Sequence, residues 1–425
     1  MRVAYKCRAY PTTEQAAVFS RTFGCVRLVW NKTLAERHTR YHGEGKSTSY
    51  KDTDAALTGW KKTEDLAFLS EVSSVPLQQT LRHQHTAFAN FFAGRAKYPR
   101  YKSRNGRQSA HYTRSAFSLR EGRLKLAKTA TPLELVWSWA DADLAELNPT
   151  MVVVSREPDG RWYVTFAIDT DDPEPLSATG AEVGIDLGVK DFAVTSDGER
   201  IANPKHLQSK AKQLARYQRR MARCERGSMN RRKAKAKIAR AYRKAGNARR
   251  DFLHRVSTNI VRDHDLIAIE DLNVKGMMAS ASGTIEKPGR NVAQKRGLNR
   301  SVADTGMGEF CSMLEYKAAK WGRTLVVINR WHPSSKTCSH CGHLLKELSL
   351  STRHWTCPTC RTRHDRDVNA AKNILAAGRA AARGNPGDAC GGDVNHSGSS
   401  LVLSPMKQEH PRREASPRKR RSTQG

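Results

Sequence analysis

Apolar and polar positions alternate with different periods along the chain, and the changes of period mark its elements. Residues 2–10 alternate loosely and read as a strand that Pro11 stops. Thr12 or Thr13 then offers an N-cap for a helix over about 14–38. A second helical pattern covers 76–93, with Leu77, Leu81, Phe88 and Phe92 on one face. From about 109 to 169 the period falls to two, broken by turns at Glu121-Gly122 and Pro158-Asp159-Gly160. That pattern predicts a small antiparallel sheet or barrel, with a helical piece inserted near its first strand. Residues 170–180 are rich in Pro, Asp and small residues and read as a linker. Residues 181–186 and 192–196 follow as a hairpin pair, and 205–250 as one long helical stretch. The short apolar strands 266–270 and 325–329 bracket a loop and a helix around 309–321, and 370–382 is helical. Residues 384–425, rich in Gly, Ser, Pro and charge, are expected to be disordered.

Charge narrows the class of partner. A chain of 425 residues can hold two or three domains, and its formal net charge of +33 predicts a polyanion as partner. No apolar run of about 18 residues, signal-peptide pattern or lipidation motif is present, so nucleic acid is expected, with no membrane and no small-molecule substrate. Residues 205–250 hold eighteen Lys and Arg against the single acid Glu225. Without acids for i,i+4 pairs, Arg216, Arg219, Arg220, Arg223, Lys233, Lys235 and Lys237 make sense beside phosphates, read as backbone and not as sequence. Tyr98, Arg100, Tyr101, Lys102 and Arg104 interleave rings with cations, suited to stacking and phosphate contact; packing of the two tyrosines is an equal alternative. The terminal run 418–421 reads as a nonspecific electrostatic tether.

Of nine cysteines, Cys7, Cys25, Cys224, Cys311 and Cys390 stand singly, which argues against a disulfide framework and for a reducing cytoplasm; with a nucleic-acid partner, association with the nucleoid is expected. The other four form Cys338-x2-Cys341 and Cys357-x2-Cys360, fifteen residues apart. Two such knuckles place four thiolates tetrahedrally for structural Zn²⁺ and leave no position open for catalysis. A ribbon of this size takes its folding energy from the metal. His340 and His364 lie nearby and, with the metal saturated, read as surface or phosphate-contacting groups.

Three acids carry the remaining chemistry. Asp186 stands in Val-Gly-Ile-Asp-Leu-Gly, Glu270 closes Leu-Ile-Ala-Ile-Glu, and Asp367 lies in Asp-Arg-Asp-Val-Asn-Ala-Ala. Strand, hairpin, strand, helix, strand, helix is the order of an RNase H-like α/β unit, in which such acids meet at one edge. Hard carboxylate oxygens suit Mg²⁺, and two ions about 3.5–4 Å apart act on phosphodiesters. Asp186 would bridge both, with Glu270 on one and Asp367 on the other. Only one of Asp365 and Asp367 need coordinate, and Asp365 is the alternative acceptor behind it. Asp191, Asp197, Asp263 and Asp265 read as surface, turn or cap residues.

Further motifs span most of the length: Tyr5-Lys-x-Arg8-x-Tyr10-Pro11, Gln15, Gly24-x-x-Arg27-x-x-Trp30-Asn31, Gly184-Ile-Asp-Leu-Gly188, Ile269-Glu-Asp-Leu-Asn273, Pro333-Ser-Ser-Lys-Thr-Cys-Ser-His-Cys-Gly342 and Asp365-Arg-Asp-Val-Asn-Ala-Ala-Lys-Asn-Ile374. In these motifs residues 1–380 resemble the TnpB family, OrfB-type transposon-encoded RNA-guided DNA endonucleases related to type V CRISPR effectors. The resemblance implies a mixed α/β multidomain chain. A wedge-type β-barrel (1–13 and 106–170) would carry a helical recognition insertion (14–105). After a linker (171–180), a RuvC-like nuclease (181–335 and 362–383) would hold a zinc ribbon (336–361), with a basic tail (384–425) outside. Asp186, Glu270 and Asp367 would be the catalytic acids, and Arg8 would join the nucleic-acid contacts. The implied partners are a guide RNA from the transposon end and double-stranded target DNA beside a short adjacent motif, contacted from 76–104. Two other readings use the same residues: an RNA-guided regulator that does not cut, and a DNA strand-transfer transposase.

Overall fold

The computed structural model describes residues 2–137, 147–171, 173–284, 286–349, 351–384, 394–397 and 400–403. The chain divides into two units, 1–172 with 213–243 and 173–212 with 244–425.

In the first unit β1 (Arg2–Tyr10) leads to α1 (Thr13–Glu44), α2 (Tyr50–Trp60) and α3 (Ser74–Phe92). Then come β2 (Gln108–Thr113), β3 (Phe117–Arg120), β4 (Arg123–Leu126), β5 (Glu134–Val136), β6 (Met151–Arg156) and β7 (Trp162–Asp169). Alternation builds the sheet: Trp162, Val164, Phe166 and Ile168 of β7 are buried, and the residues between them are not. Five strands run in the order β2-β6-β7-β1-β5, each antiparallel to its neighbours. β3 and β4 pair separately, and their Leu124 and Leu126 enter the same core. α1 shares it, since Phe19 and Phe23 pack on Trp162 with ring centroids 5.8 and 5.7 Å away. Thr12 and Gln15 exchange side-chain-to-backbone hydrogen bonds in a capping box, and the helix runs past 38 to Glu44.

The basic stretch folds as two helices, not one. α4 (Ala211–Ala222) and α5 (Met229–Asp263) are separated by a turn. There Ser228 Oγ accepts the Arg231 N–H, and the Arg231 guanidinium closes on the carbonyls of Met221 and Cys224. A hydroxyl at one helix start and a cation on the other's last carbonyls stop both. Residues 213–243 group with the first unit, where Arg243 pairs at 2.5 Å with the buried carboxylate of Asp159 in the β6–β7 turn.

The second unit holds β8 (Glu182–Leu187), β9 (Asp191–Thr195), β10 (Arg200–Ala202), β11 (Leu266–Glu270) and β12 (Thr324–Ile328). Their order is β10-β9-β8-β11-β12, with β8, β11 and β12 parallel and β9 antiparallel to both of its neighbours, β8 and β10. Between β11 and β12 lie α6 (Val274–Met277), α7 (Val292–Thr305) and α8 (Met307–Lys320). Only α8 is expected from the apolar pattern, because the buried positions of α7 are confined to Val302, Asp304 and Thr305. β13 (His354–Thr356) and β14 (Arg363–Asp365) precede α9 (Arg366–Ala382). In the segment expected to be disordered, β15 (Val394–Ser397) and β16 (Ser400–Leu403) pair as a hairpin; Val394 and Leu401-Val-Leu403 are strand-prone. The rest of it, 418–421 included, lies outside the described residues. No helix among the described residues is long and apolar enough to cross a membrane.

Alternation assigns the two faces of this sheet. Val183, Ile185, Ile267 and Ile269 face a core made with Leu253 and Ile260 of α5 and Phe310 and Leu314 of α8. The intervening Gly184, Asp186, Ala268 and Glu270 therefore face α9. Two glycines let α9 lie against the strands. A Cβ on Gly184 would stand 2.1 Å from the Ala371 carbonyl oxygen, and one on Gly378 would stand 2.5 Å from the Ala268 Cβ. The expected linker is fastened to this unit. The buried Arg323 guanidinium donates to the carbonyls of Leu176, Ser177, Val261 and Arg262 and pairs with Asp265. Asp265 in turn accepts the N–H groups of Thr179 and Gly180, so it is a clamp and not a surface residue.

Gly184→Ala and Gly378→Ala are each expected to destabilise the second unit by roughly 1–3 kcal/mol, the usual cost of overpacking a tight contact. Urea denaturation checks this; unchanged midpoints would mean that α9 lifts freely from the sheet.

Candidate functional site

β8 and β11 pair in parallel register up to Ile185 opposite Ile269. Asp186 and Glu270 are thus next to one another at the carboxyl ends of the strands, on the α9 face. Asp367 stands in the first turn of α9, on the helical stripe that continues through Ala371 and Gly378, the residues against the strands. All three sequence-predicted acids reach one edge, where open sheets with parallel strands hold ligands.

Desolvation, then the charges of Glu270 and Asp367, pushes the Asp186 carboxyl up to about 7. Burial raises Glu270 as well, against a 2.5 Å hydrogen bond donated by Ser334 Oγ. Asp186 feels the charge of both other acids, yet the three do not close into a cage. Among the described residues, the only three or more His, Cys, Asp or Glu with ligand atoms within 4.8 Å of each other are the four cysteines. Cations moderate the repulsion: Arg200 lies 2.7 Å from Asp365 and 3.7 Å from Asp367, and Arg353 lies 3.7 Å from Asp367. Desolvated carboxylates that repel each other and draw in guanidinium groups are a donor set that fits a hard divalent cation. Asp365 has a separate role as the N-cap of α9, accepting the N–H groups of Asp367 and Val368 at 3.1 Å each.

In the cysteine cluster the Sγ atoms of Cys338 and Cys360 are 3.6 Å apart, and those of Cys341 and Cys357 3.7 Å. A tetrahedron with Zn–S bonds of about 2.3 Å has edges of about 3.8 Å, so the sulfurs stand at zinc spacing. His340 is exposed. His364 is not: β13–β14 pairing sets it opposite Trp355, and it is buried with its Nε2 3.0 Å from Cys338 Sγ. In the tautomer protonated at Nε2 the ring donates to the Cys338 sulfur, and burial replaces the surface or phosphate role expected for His364 with a place against the cluster.

Arg216, Arg219, Arg220, Arg223 and Lys237 line one groove of about 700 Å³. Lys233 is exposed on α5 outside that lining. The other predicted contacts are partly committed to packing. The Arg8 guanidinium lies 5.1 Å from the Tyr163 ring, and Lys102 Nζ lies 4.2 Å from the Trp30 ring. Tyr98 meets Phe88 and Phe91 edge-on, while the exposed Arg100 offers its carbonyl to Trp30 Nε1. A second basic cleft, of about 570 Å³, is lined by Lys6, Arg104, Arg107, Arg156 and Lys235 among others.

Sequence reasoning gave no role to Ser334, Asn369 and Asn373, which it met only within motifs, and passed over Arg200 and Arg353. Asn369 Nδ2 donates to the Thr337 carbonyl at 2.8 Å, and its Oδ1 accepts the Ser339 N–H at 2.9 Å. Asn373 Nδ2 donates to the Ser334 carbonyl at 2.7 Å. These two amides fasten the loop that carries Ser334 and enters the cysteine cluster onto the helix that carries Asp367. Two asparagines one turn apart within an apolar helical pattern were the available signal.

In the unfolded chain Asp186 gives up its proton near the ordinary 3.8, whereas in the folded chain it does so at about 7. The folded state therefore binds more protons in that window and loses stability as pH rises through it. In divalent-free buffer Asp186→Asn is expected to melt above the parent at about pH 8, with the gap closing toward about pH 4. Thermal melts across pH check this; a gap independent of pH would contradict it.

Residues 165–281 match the OrfB family profile described as "Probable transposase", and 308–374 match a Cas12f1-like, TNB domain. A profile described as a helix-turn-helix domain matches 1–46, which here is β1 followed by the single long helix α1. A "Putative RNA-guided DNA endonuclease" of Streptomyces pristinaespiralis is 51% identical over 409 residues, 96% of each chain. The "Putative RNA-guided DNA endonuclease InsQ" of Escherichia coli (strain K12) is 34% identical over 406 residues, 95% of this chain and 97% of its own. Among solved structures, the Cas12f1 chain of a Cas12f1–sgRNA–target DNA complex aligns with a TM-score of 0.51 at 15% identity, covering 86% of this chain and 83% of that one, a likeness of fold. Identity of this extent, along nearly the whole length, means that the chain belongs to the TnpB (OrfB) family.

Proposed function

We propose that this chain is an RNA-guided, Mg²⁺-dependent DNA endonuclease with one RuvC-like site formed by Asp186, Glu270 and Asp367. The observation that carries the reading is the meeting of Asp186 and Glu270 at the ends of adjacent parallel strands, with Asp367 in the first turn of the helix against them. They are close enough that desolvation and the two further acids push the Asp186 carboxyl up to about 7. Such an arrangement opposes folding, which is the mark of a functional site and not of a structural one. The names of the whole-length relatives support the same activity.

In this reading the five-stranded sheet of the first unit is the wedge-type barrel and α1–α3 are the recognition insertion. A guide RNA from the transposon end lies with its phosphates along the Arg216–Arg223 groove. Base pairing selects DNA beside a short adjacent motif, and the protein grips backbone. Asp186, Glu270 and Asp367 would hold Mg²⁺, which when bound supplies water activation and neutralises charge on the phosphate. The chain's own residues set the geometry. Ser334 orients the Glu270 carboxylate, Asp365 fixes the first turn of α9 and with it Asp367, and Arg200 and Arg353 place positive charge at the rim for phosphate. The four cysteines would hold Zn²⁺, whose binding supplies folding energy to the ribbon.

The Asp186→Ala protein, purified with its RNA, is expected to bind target DNA like the parent and to lose cleavage by at least about a thousandfold, since the acid acts on the reacting groups. Cleavage at the parental rate would overturn the assignment. The family description as a transposase favours strand transfer as a second reading. Ribonuclease digestion before the assay separates the two, because it abolishes guided cleavage and leaves strand transfer intact. Cys357→Ser is expected to lose the single bound zinc, read by metal analysis, and to slow cleavage through the Asn369 and Asn373 contacts. Full activity without zinc would show that the ribbon does not support the acid edge.

A further inference from the structure

We infer that Trp331 is a stacking residue for an unpaired base of the DNA strand at the acid edge. The inference rests on the nuclease reading and adds how that site grips its substrate. Trp331 is 84% exposed, the highest value among the large hydrophobic side chains described. Indoles are highly buried on average, so one standing in water calls for a partner. Its place in the fold says which. Trp331 lies in the loop that leaves the carboxyl end of β12, and that loop is tied on both sides of it to the strand carrying Glu270. Arg330 pairs with Asp271, the residue after Glu270, and Ser334 donates to Glu270 itself. Within the loop the Trp331 N–H is held by Asn329 Oδ1 at 2.9 Å, the His332 N–H by the Asn329 carbonyl at 3.0 Å, and the Ser334 carbonyl by Asn373 at 2.7 Å.

A flat apolar ring is thus borne on a braced loop, at an edge where Arg200 and Arg353 supply charge for phosphate. Stacking on a base contributes about 1–3 kcal/mol without reading its identity. That suits an enzyme whose sequence choice belongs to RNA, and it would hold the strand still beside the acids.

The test uses the ribonucleoprotein as it co-purifies, carrying Asp186→Ala so that DNA stays intact. Target DNA bears 5-iododeoxyuridine at successive positions, and ultraviolet crosslinks are mapped by peptide sequencing. An adduct is expected at residue 331 in the parent and in Trp331→Phe, and none in Trp331→Ala. With Asp186 restored, Trp331→Ala is expected to cut on the order of tenfold more slowly and Trp331→Phe to recover most of the rate, with the same RNA bound by all. The inference is overturned if no DNA position crosslinks to residue 331, if Trp331→Phe is as slow as Trp331→Ala, or if the adduct forms only with iodouridine in the RNA. Crosslinking needs no cleavage, so its failure is distinct from failure of the nuclease reading, which would show as cutting by Asp186→Ala.

Discussion

Where α9 crosses β8, the carbonyl oxygen of Ala371 occupies the space that any side chain at position 184 would need. One turn toward the helix start from that contact stands Asp367, and two residues along the strand stands Asp186. The same helix meets β11 through Gly378 on Ala268, two residues before Glu270. Helix and sheet therefore touch at backbone distance on two strands, and the third acid is delivered to the other two by that closeness. A larger residue at either contact would raise the helix and carry Asp367 away from the edge. The motif Gly184-Ile-Asp-Leu-Gly188 thus couples a packing residue to a chemical one.

The cluster so formed opposes folding, and the surrounding residues show how it is tolerated. Asp186 is raised by desolvation and by its acidic neighbours. Ser334 holds Glu270 with one hydrogen bond, Arg200 spans Asp191, Asp365 and Asp367, and Arg353 reaches Asp367. Asn369 and Asn373 tie the Ser334 loop to α9 and, through Ser339, to the cysteine cluster. Hydrogen bonds consequently connect the ribbon, the loop and the acid edge, so that a metal held at the cysteines would support the geometry of the carboxylates.

Much of this was legible in sequence because it rests on local rules. Period-two alternation marked the antiparallel sheet between 109 and 169, the hairpin pair marked β8 and β9, an apolar run ending in acid marked β11, and the cysteine spacing marked the cluster whose sulfurs now stand 3.6 and 3.7 Å apart. What was missed depends on tertiary contact. The basic stretch contains no proline to signal its break, which is made by Ser228 and Arg231 capping across the turn. His364 sits in a polar run and turns inward only because its strand partner is Trp355. Arg200 and Arg323 look like any surface arginine until the fold surrounds one with carboxylates and the other with carbonyls. For Tyr98 the sequence left stacking and packing as equal alternatives, and the rings of Phe88 and Phe91 in α3 realise the packing one.

That three carboxylates so distant along the chain serve one set of divalent ions is tested most directly by metal binding itself. Mn²⁺, a spectroscopic substitute for Mg²⁺, can be titrated into the ribonucleoprotein and followed by electron paramagnetic resonance. Glu270→Gln and Asp367→Asn are each predicted to lose bound Mn²⁺ and the spin coupling between adjacent ions. Full Mn²⁺ binding by both variants would contradict a shared site.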